Sequence, residues 1–166
     1  MSSIVLTSGP RGAGKTTYCN KYVKENPNFH LFSRDAVGRQ FFGDQFFNPY
    51  LGASRYVFEL LTEKLKKFEL LSAKKDLTLL VDYWNGSNKE RYRLLQMMSM
   101  YSENVTLAVF TTPHDKCVEQ FFQREGKEKG WNPSKDYHLY HELLKGVEDL
   151  GFSKIVYVDP TVPILF

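Results

Sequence analysis

The segment from Gly9 to Thr16, with the sequence GPRGAGKT, constrains the fold most, because it fits the pattern G-x-x-x-x-G-K-[ST] at every fixed position. An apolar run at 4–7 precedes it and predicts a buried strand, and residues 17–24 are predicted to form a helix. Glycines in such a loop let backbone N–H groups converge on an anion, and the helix N-terminus adds partial positive charge. Strand, loop and helix in this order predict a phosphate-binding cradle rather than an incidental glycine turn.

The side chains of this loop suit it to a nucleoside triphosphate and its metal ion. Lys15 supplies a mobile cation for the phosphates, and the Thr16 hydroxyl is a suitable ligand for Mg²⁺. We therefore predict ATP or another NTP as the cofactor, together with Mg²⁺. The cradle is predicted to consist of Gly9, Gly12, Ala13, Gly14, Lys15, Thr16 and Thr17.

Length and composition set the frame for the rest of the chain. With 166 residues, of which 42% are hydrophobic, the chain is predicted to form one α/β domain over 1–166. The net charge of +3 permits a polyanionic partner without requiring one. Cys19 and Cys117 lie far apart and have no His or Cys at metal-ligand spacing, so neither a disulfide nor a zinc site is expected. Without a signal-like or membrane-length apolar run, we expect a soluble protein of the reducing cytoplasm, with no membrane partner.

Strand-like and helix-like patterns alternate along the chain. Short apolar runs rich in β-branched residues predict further strands at 77–81, 105–110 and 155–158, and a weaker one at 29–32. Helical spacing is seen at Val57, Leu61, Leu65 and Phe68, and at Tyr140, Leu143, Val147 and Leu150, with Gly151 ending the latter helix. Ser87 to Glu90 is a capping-box signature for a helix that runs to about residue 101, and Thr112-Pro113 is typical of a helix start. The alternation predicts a three-layer, doubly wound α/β fold whose ligands bind at the carboxyl ends of the strands.

An aspartate and an arginine follow the second predicted strand. If a helix begins near Asp35, then Asp35 and Arg39 lie on one helical face toward the nucleotide. The carboxylate is suited to accept a proton from an attacking hydroxyl, and the guanidinium to bind an acceptor phosphate. Spacing alone equally allows an aspartate that favours its own helix dipole and a surface arginine.

Two further charged positions stand where a phosphoryl-transfer site needs them. Asp82 ends the third apolar strand, where a carboxylate holds Mg²⁺ directly or through water; an ordinary turn is the alternative. Arg124 precedes a charged, glycine-punctuated segment and is predicted to reach the transferring phosphoryl group from a lid at about 120–133. A solvated helix end with mixed charge is the alternative for Arg124.

Together these segments resemble the P-loop polynucleotide 5′-hydroxyl kinases, the end-healing kinases of phages and bacteria. The likeness runs from about residue 3 to residue 158 and rests on GPRGAGKTT, the SRD…R segment, LLVDYWN and the Arg124 lid. It implies a P-loop kinase fold with a mostly parallel sheet of about five strands and a small helical lid. No D-x-D-x-T/V phosphatase signature occurs, so only the kinase module is implied.

The resemblance also implies a role for each candidate residue. Asp35 would be the general base on the 5′-hydroxyl and Arg39 the contact to the acceptor phosphate. Asp82 and Asn85 match a D-x-x-N segment on the acceptor side. Lys15 and Arg124 would neutralise the transferring phosphoryl group, while Thr16 and Asp82 organise Mg²⁺. The partner would be a nucleic acid 5′ end, DNA or RNA, with oligomeric state left open.

Other readings of the same residues remain. The acceptor could be a nucleoside, a small molecule or a hydroxymethylated base in DNA. A non-catalytic nucleotide switch is disfavoured, because the near match to N-K-x-D at 88–91 lacks its aspartate. Aromatic rings among Phe41 to Tyr50, and Tyr83 and Trp84, could stack on a nucleobase, although such residues more often belong to a core.

Overall fold

A single parallel sheet organises the computed structural model, which describes residues 1–126, 130 and 132–162. The strands are β1 (Ser3–Ser8), β2 (Phe29–Ser33), β3 (Thr78–Asp82), β4 (Val105–Phe110) and β5 (Lys154–Val158), in the sheet order β2-β3-β1-β4-β5. The helices are α1 (Lys15–Glu25), α2 (Arg34–Phe42), α3 (Ala53–Ser72), α4 (Asn88–Ser99), α5 (His114–Glu125) and α6 (Pro133–Leu143). Short 3₁₀ helices lie at Gly43–Phe47, Pro49–Leu51 and Val147–Asp149.

The strand order places the ligand-binding edge next to β1. β1 pairs with β3 on one side and with β4 on the other, so the chain winds first one way and then the other. In such sheets the crevice forms at the carboxyl ends of the strands where the winding reverses. The doubly wound fold predicted from the sequence is therefore confirmed, and the glycine-rich loop after β1 opens into this crevice.

Both faces of the sheet are covered, which explains why its strands read as continuous apolar runs. Ile4 and Leu6 point into a core shared with α3 and α4, whereas Val5 points into a second core shared with α1 and α5. The core residues of both faces are at most 5% exposed. The result is three layers, with the sheet as the middle layer.

The long helix α3 follows the predicted period closely. It buries Val57, Leu61, Leu65 and Phe68 at intervals of three and four, so one stripe faces the sheet. Its other sides carry charged residues. Within the described ranges, no helix combines the length and apolarity needed to cross a membrane.

Two predicted helix ends differ from the structure. The prediction of one helix from Tyr140 to Leu150 was wrong. Helix α6 ends at Leu143, and Gly146 takes the left-handed conformation with φ 81°. Val147 then begins a separate 3₁₀ helix. At the start of α5, Pro113 is the N-cap residue rather than the first helical residue, and the Thr112 hydroxyl donates to the Ala13 carbonyl instead of capping the helix.

Three of the four histidines meet where α5 packs against α6. The rings of His114 and His138 stack with their centroids 5.2 Å apart, and the His114 Nε2 lies 2.7 Å from the Ser134 hydroxyl. His141 packs on Tyr137 with centroids 4.4 Å apart, and in the described part of the chain its buried Nε2 has no hydrogen-bond partner. Burial, and then the nearby His138, lower the pKa of His141.

We expect stability to fall as the solution is acidified below about pH 6.5, in part through His141. A lowered pKa in the folded state means that the unfolded chain binds the proton more tightly. The stability that neutral His141 supplies is therefore complete above the unfolded-state pKa of about 6.5 and is lost as pH falls below it. Urea unfolding at neutral and mildly acidic pH measures this loss. The His141→Gln variant should lose less stability over that interval, and an equal loss would contradict this assignment.

Candidate active site

A cleft of about 410 Å³ lies at the carboxyl ends of β1, β2 and β3. It collects side chains from the glycine-rich loop, from the start of α2, from the end of β3 and from the end of α5. Six residues selected from the sequence line it: Lys15, Thr16, Asp35, Arg39, Asp82 and Arg124. Segments up to 109 residues apart in the chain thus meet at one site.

The glycine-rich loop depends on glycine at two positions with positive φ. Gly12 and Gly14 have φ of 79° and 86°, a conformation that other residues rarely adopt. Gly14 is the N-cap of α1, so the loop leads directly into the helix N-terminus. The Ala13 carbonyl accepts a hydrogen bond of 2.7 Å from Thr112, which ties the loop to the end of β4.

Replacing Gly12 with alanine should damage both the fold and nucleotide binding. An added Cβ would lie 2.1 Å from the carbonyl oxygen of Cys117, and this backbone atom of α5 cannot move away alone. Gly52→Ala is the matched control, since Gly52 has φ 63° and nothing within 4 Å of an added Cβ. The control should cost only the left-handed strain of about 1–2 kcal/mol. Gly12→Ala should cost clearly more in thermal unfolding and weaken ATP binding in calorimetry; equal losses would contradict the close approach.

Lys15 folds back onto its own loop. Its Nζ donates hydrogen bonds to the carbonyl oxygens of Gly9 at 2.9 Å and Pro10 at 3.0 Å. Burial lowers the pKa of Lys15, Asp82 opposes that shift, and Arg124 adds to it. The ammonium group therefore sits in the cleft beside the phosphate cradle, held by neutral carbonyl groups that a phosphate oxygen can replace.

The Thr16 hydroxyl and the Asp82 carboxylate are in direct contact. Thr16 donates to Asp82 Oδ2 at 2.6 Å, while Thr7 and Ser33 donate longer bonds of 3.4 Å to the same carboxylate. Adjacent hydroxyl and carboxylate oxygens are the hard ligands that Mg²⁺ prefers. Such an ion commonly takes one or two carboxylates and completes its shell with phosphates and water. The residues present therefore fit a Mg²⁺ ion bound together with a nucleotide.

Asp35 and Arg39 line the same cleft, as the helical spacing predicts. Asp35 lies in the first turn of α2, its side chain is 56% exposed, and it pairs with Arg34 rather than with Arg39. The Arg39 guanidinium lies 6.0 Å from the ring centre of Phe47 and is otherwise exposed. Asp35 thus has an accessible carboxylate oriented by a neighbouring cation. Whether it acts as a base stays a prediction.

Arg34 belongs to the cleft although its sequence pattern did not select it. Its guanidinium contacts the rings of Phe46 and Tyr83, at 5.0 and 5.6 Å from their centres, and its Nη1 donates to Asp35 at 3.0 Å. Adjacent residues on a helix do not normally face each other. The contact arises because the two rings hold Arg34 in place, which only the tertiary structure shows.

The aromatic residues divide between the core and the cleft. Phe46 is 2% exposed and belongs to the core, so a stacking role for this ring is wrong. Trp84 lines the cleft, with the Arg11 guanidinium 5.4 Å and the Lys15 Nζ 5.7 Å from its ring centre. An added Cβ at Gly86 would lie 2.7 Å from this ring, so only the lack of a side chain at Gly86 leaves room for the indole.

The side-chain amide of Asn85 is hydrogen-bonded to the backbone and does not face the cleft. It is buried, and its Nδ2 donates to the carbonyl oxygens of Thr7 at 2.8 Å and Tyr83 at 2.6 Å. Its amide therefore ties the loop after β3 to the end of β1. The acceptor-binding role implied for Asn85 stays a prediction, and only its oxygen is available for it.

Helix α6 supports the glycine-rich loop from behind. Asp136 accepts a hydrogen bond of 3.2 Å from the backbone N–H of Arg11, and the hydroxyl groups of Tyr140 and Ser8 lie 2.8 Å apart. Beside them Arg91 is fully buried and donates to the Leu143 carbonyl at the end of α6. The sequence pattern did not select these residues, because their roles depend on helix packing.

Arg124 lies in the last turn of α5 between two clefts. It is about half exposed, pairs with Glu125 at 3.1 Å, and lines both the first cleft and a second one of about 560 Å³. The second cleft also contains Gly12, Gly14, Thr17, Lys21, Pro160 and Thr161. The predicted lid at 120–133 comprises the end of α5 and the start of α6, and its residues 127–129 and 131 lie outside the described residues.

Comparison with solved structures shows a P-loop kinase-like fold. A chain of the PezAT chromosomal toxin–antitoxin system of Streptococcus pneumoniae has a TM-score of 0.70 and 18% identity, over 100% of this chain and 70% of that chain. A chain of the Pnkp1/Rnl/Hen1 RNA repair complex has a TM-score of 0.68 and 16% identity, over 89% and 45%. A gluconokinase from Sinorhizobium meliloti has a TM-score of 0.56 and 18% identity, over 98% and 84%. At these identities the likeness is one of fold.

A match to a family model shows family membership, whereas the solved structures show only the fold. No curated protein matched the sequence significantly. The family model described as "AAA domain" matches residues 4–136, which extend from β1 into α6 and include the whole glycine-rich loop. This chain therefore belongs to the AAA domain family.

Proposed function

We propose that this protein is a polynucleotide 5′-hydroxyl kinase, which transfers the γ-phosphate of ATP or another NTP to the 5′-OH end of DNA or RNA. The observation that carries the proposal is the shared cleft. Lys15 and the Thr16–Asp82 pair line the same cavity as Asp35, an accessible carboxylate on a different element. A donor phosphate and an acceptor hydroxyl can therefore meet there.

The donor side of the cleft would hold the nucleotide phosphates. The N–H groups of Gly12 to Thr17 and the N-terminus of α1 would bind them, and Lys15 would leave the carbonyl groups of its loop for a phosphate oxygen. Mg²⁺ held by Thr16 and Asp82 would neutralise charge on the phosphates. Arg124 would add positive charge where the γ-phosphoryl group passes to the acceptor.

The acceptor side would bind and activate the hydroxyl. The hydroxyl oxygen forms a bond to the γ-phosphorus, the bond from that phosphorus to the β,γ-bridging oxygen breaks, and the hydroxyl proton passes to Asp35. Arg34 donates a hydrogen bond to the Asp35 carboxylate, and Arg39, which lines the cleft, would bind the phosphate that follows the first nucleoside. Positioning and charge neutralisation supply most of the catalysis in such transfers.

The surroundings of Asp35 favour a nucleic acid acceptor. Arg11, Arg34 and Arg39 line the cleft with Trp84 and Phe47, so cations for phosphates stand beside flat rings for bases. This combination is typical of sites for single-stranded nucleic acid. The fold likeness to a chain of an RNA repair complex also supports the proposal.

A kinase for a different hydroxyl acceptor is the second candidate. The fold is also that of a gluconokinase, so the framework serves small acceptors. A nucleoside, a small alcohol or a hydroxymethylated base in DNA would use the same donor side and the same base. A non-catalytic nucleotide switch would not need the accessible Asp35 carboxylate in the cleft.

Transfer of label from γ-labelled ATP separates these candidates. The purified protein is incubated with Mg²⁺ and a 5′-hydroxyl oligonucleotide, and in parallel with nucleosides, gluconate, shikimate or no acceptor. We expect label at the 5′ end of the oligonucleotide, and none on the same oligonucleotide already bearing a 5′-phosphate. Label on a small acceptor alone would favour the second candidate. Release to water alone would contradict both kinases.

A further inference from the structure

Several large aromatic side chains are exposed between α2 and the start of α3. Phe41, Phe47, Tyr50 and Tyr56 are 53%, 61%, 93% and 40% exposed, and we call this group the aromatic surface. Phenylalanine is usually buried, and a concentration of exposed rings marks a binding surface. Within the segment, the Asn48 side chain caps the 3₁₀ helix at Pro49–Leu51 by accepting a hydrogen bond of 3.0 Å from the Tyr50 N–H.

The aromatic surface continues from the active-site cleft. Phe47 lines that cleft and lies 6.0 Å from the Arg39 guanidinium. Tyr50 follows three residues later, so at most about 11 Å of extended chain separates their Cα atoms. This is on the order of three nucleotides at the 3.4 Å spacing of a duplex strand. A strand whose 5′ end reaches Asp35 and that leaves the cleft along Phe47 would meet Tyr50 within this distance.

The composition of this surface fits a nucleic acid strand better than a protein partner. Two cations lie near its rings: Arg39 at the cleft, and Arg55, whose side chain is 89% exposed and pairs with Glu59 at 3.5 Å. Single-strand binders combine such rings with cations along a track, because bases stack on rings while cations follow the phosphates. Tyr56 supports the far end, packed edge-on against Phe41 and Phe42 with centroids 5.6 Å apart.

We propose that the aromatic surface binds the nucleotides that follow the 5′-terminal one. This inference rests on the proposed function and deepens it, because it names a single-stranded polynucleotide rather than a mononucleotide as the preferred acceptor. Bases stack on Tyr50 and Phe47, and Arg39 binds the phosphate between cleft and surface. Affinity therefore rises with strand length until the surface is covered.

Substitutions of Tyr50 test the inference without disturbing the fold, because this side chain is 93% exposed. Binding of a fluorescent 5′-hydroxyl single strand is followed by anisotropy without nucleotide. Tyr50→Ala and Tyr50→Leu should raise Kd roughly 5- to 150-fold, the range that corresponds to losing one stacked base. Tyr50→Phe keeps the ring and should bind like wild type. Tyr92→Ala on α4, where Tyr92 is 47% exposed, is the control and should also bind like wild type.

Kinetics give a second readout. Tyr50→Ala should raise KM for the oligonucleotide and leave KM for a nucleoside 3′-monophosphate unchanged. Unchanged oligonucleotide Kd and KM in Tyr50→Ala and in Phe41→Ala would overturn the inference. So would a wild type that binds no single strand, or a Tyr50→Ala variant that instead changes oligomeric state in sedimentation. A wild type that binds single strands through Tyr50 but never phosphorylates them would support the surface and refute the proposed function.

Discussion

The Arg124→Ala variant is expected to lose about 10³-fold in kcat for transfer from ATP. Arg124 lines both clefts at the end of α5, and in the proposed reaction its charge would stabilise the phosphoryl group during transfer. Charge spreads over the phosphoryl oxygens as the bond to the leaving group breaks, so removing a cation there raises the barrier. The measurement is the steady-state rate of labelling of a 5′-hydroxyl oligonucleotide.

A matched control for Arg124 lies on the same helix. Lys116 is exposed, pairs with Glu119, and lies two turns away from the clefts. Lys116→Ala should retain the wild-type kcat, and Arg124→Lys should recover part of the loss because it restores charge without the planar guanidinium. If Arg124→Ala kept a wild-type rate, Arg124 would be an ordinary solvated residue at a helix end.

The Asp35→Asn variant is expected to lose roughly 10²- to 10⁴-fold in kcat, the usual contribution of a general base. Its amide cannot accept the hydroxyl proton, although it has nearly the same shape. KM for ATP should stay near the wild-type value, because in the proposed reaction the glycine-rich loop and the end of β3 bind the donor, and Asp35 lies on neither. Steady-state kinetics with ATP and the oligonucleotide varied in turn separate the two effects.

The alternative reading of Asp35 makes a different prediction. If the carboxylate only favours the dipole of α2, its loss would cost a few tenths of a kcal/mol to about 1 kcal/mol of stability and leave kcat intact. Asp44→Asn is the control, an exposed aspartate at the start of the next helical segment. A wild-type kcat in Asp35→Asn would therefore remove the base from the mechanism.

Local sequence patterns predicted the strands and several helix ends of this protein well. Continuous apolar runs located the five strands of the described residues to within one residue at each end, since most positions of a strand covered on both faces are apolar. The capping box at Ser87 forms both of its hydrogen bonds with Glu90. Polar residues at or beyond the carboxyl ends of β1, β2 and β3 were expected to meet, and Lys15, Asp35 and Asp82 do line one cleft.

What the sequence did not predict depends on contacts between distant segments. Arg34 joins the cleft only because Phe46 and Tyr83 contact its guanidinium. Thr112 supports the glycine-rich loop across 99 residues of chain instead of capping its own helix. Neither role leaves a periodic or spaced signature, so neither could be found from one sequence.

A crystal structure with Mg²⁺, a non-hydrolysable ATP analogue and a 5′-hydroxyl oligonucleotide would show whether donor and acceptor meet in this cleft. We predict phosphates in the loop from Gly9 to Thr17, Lys15 released from the Gly9 and Pro10 carbonyl groups onto a phosphate oxygen, and the 5′-hydroxyl within hydrogen-bond distance of the Asp35 carboxylate. Phosphates bound elsewhere, or an Asp35 side chain turned away from the bound 5′ end, would contradict the account.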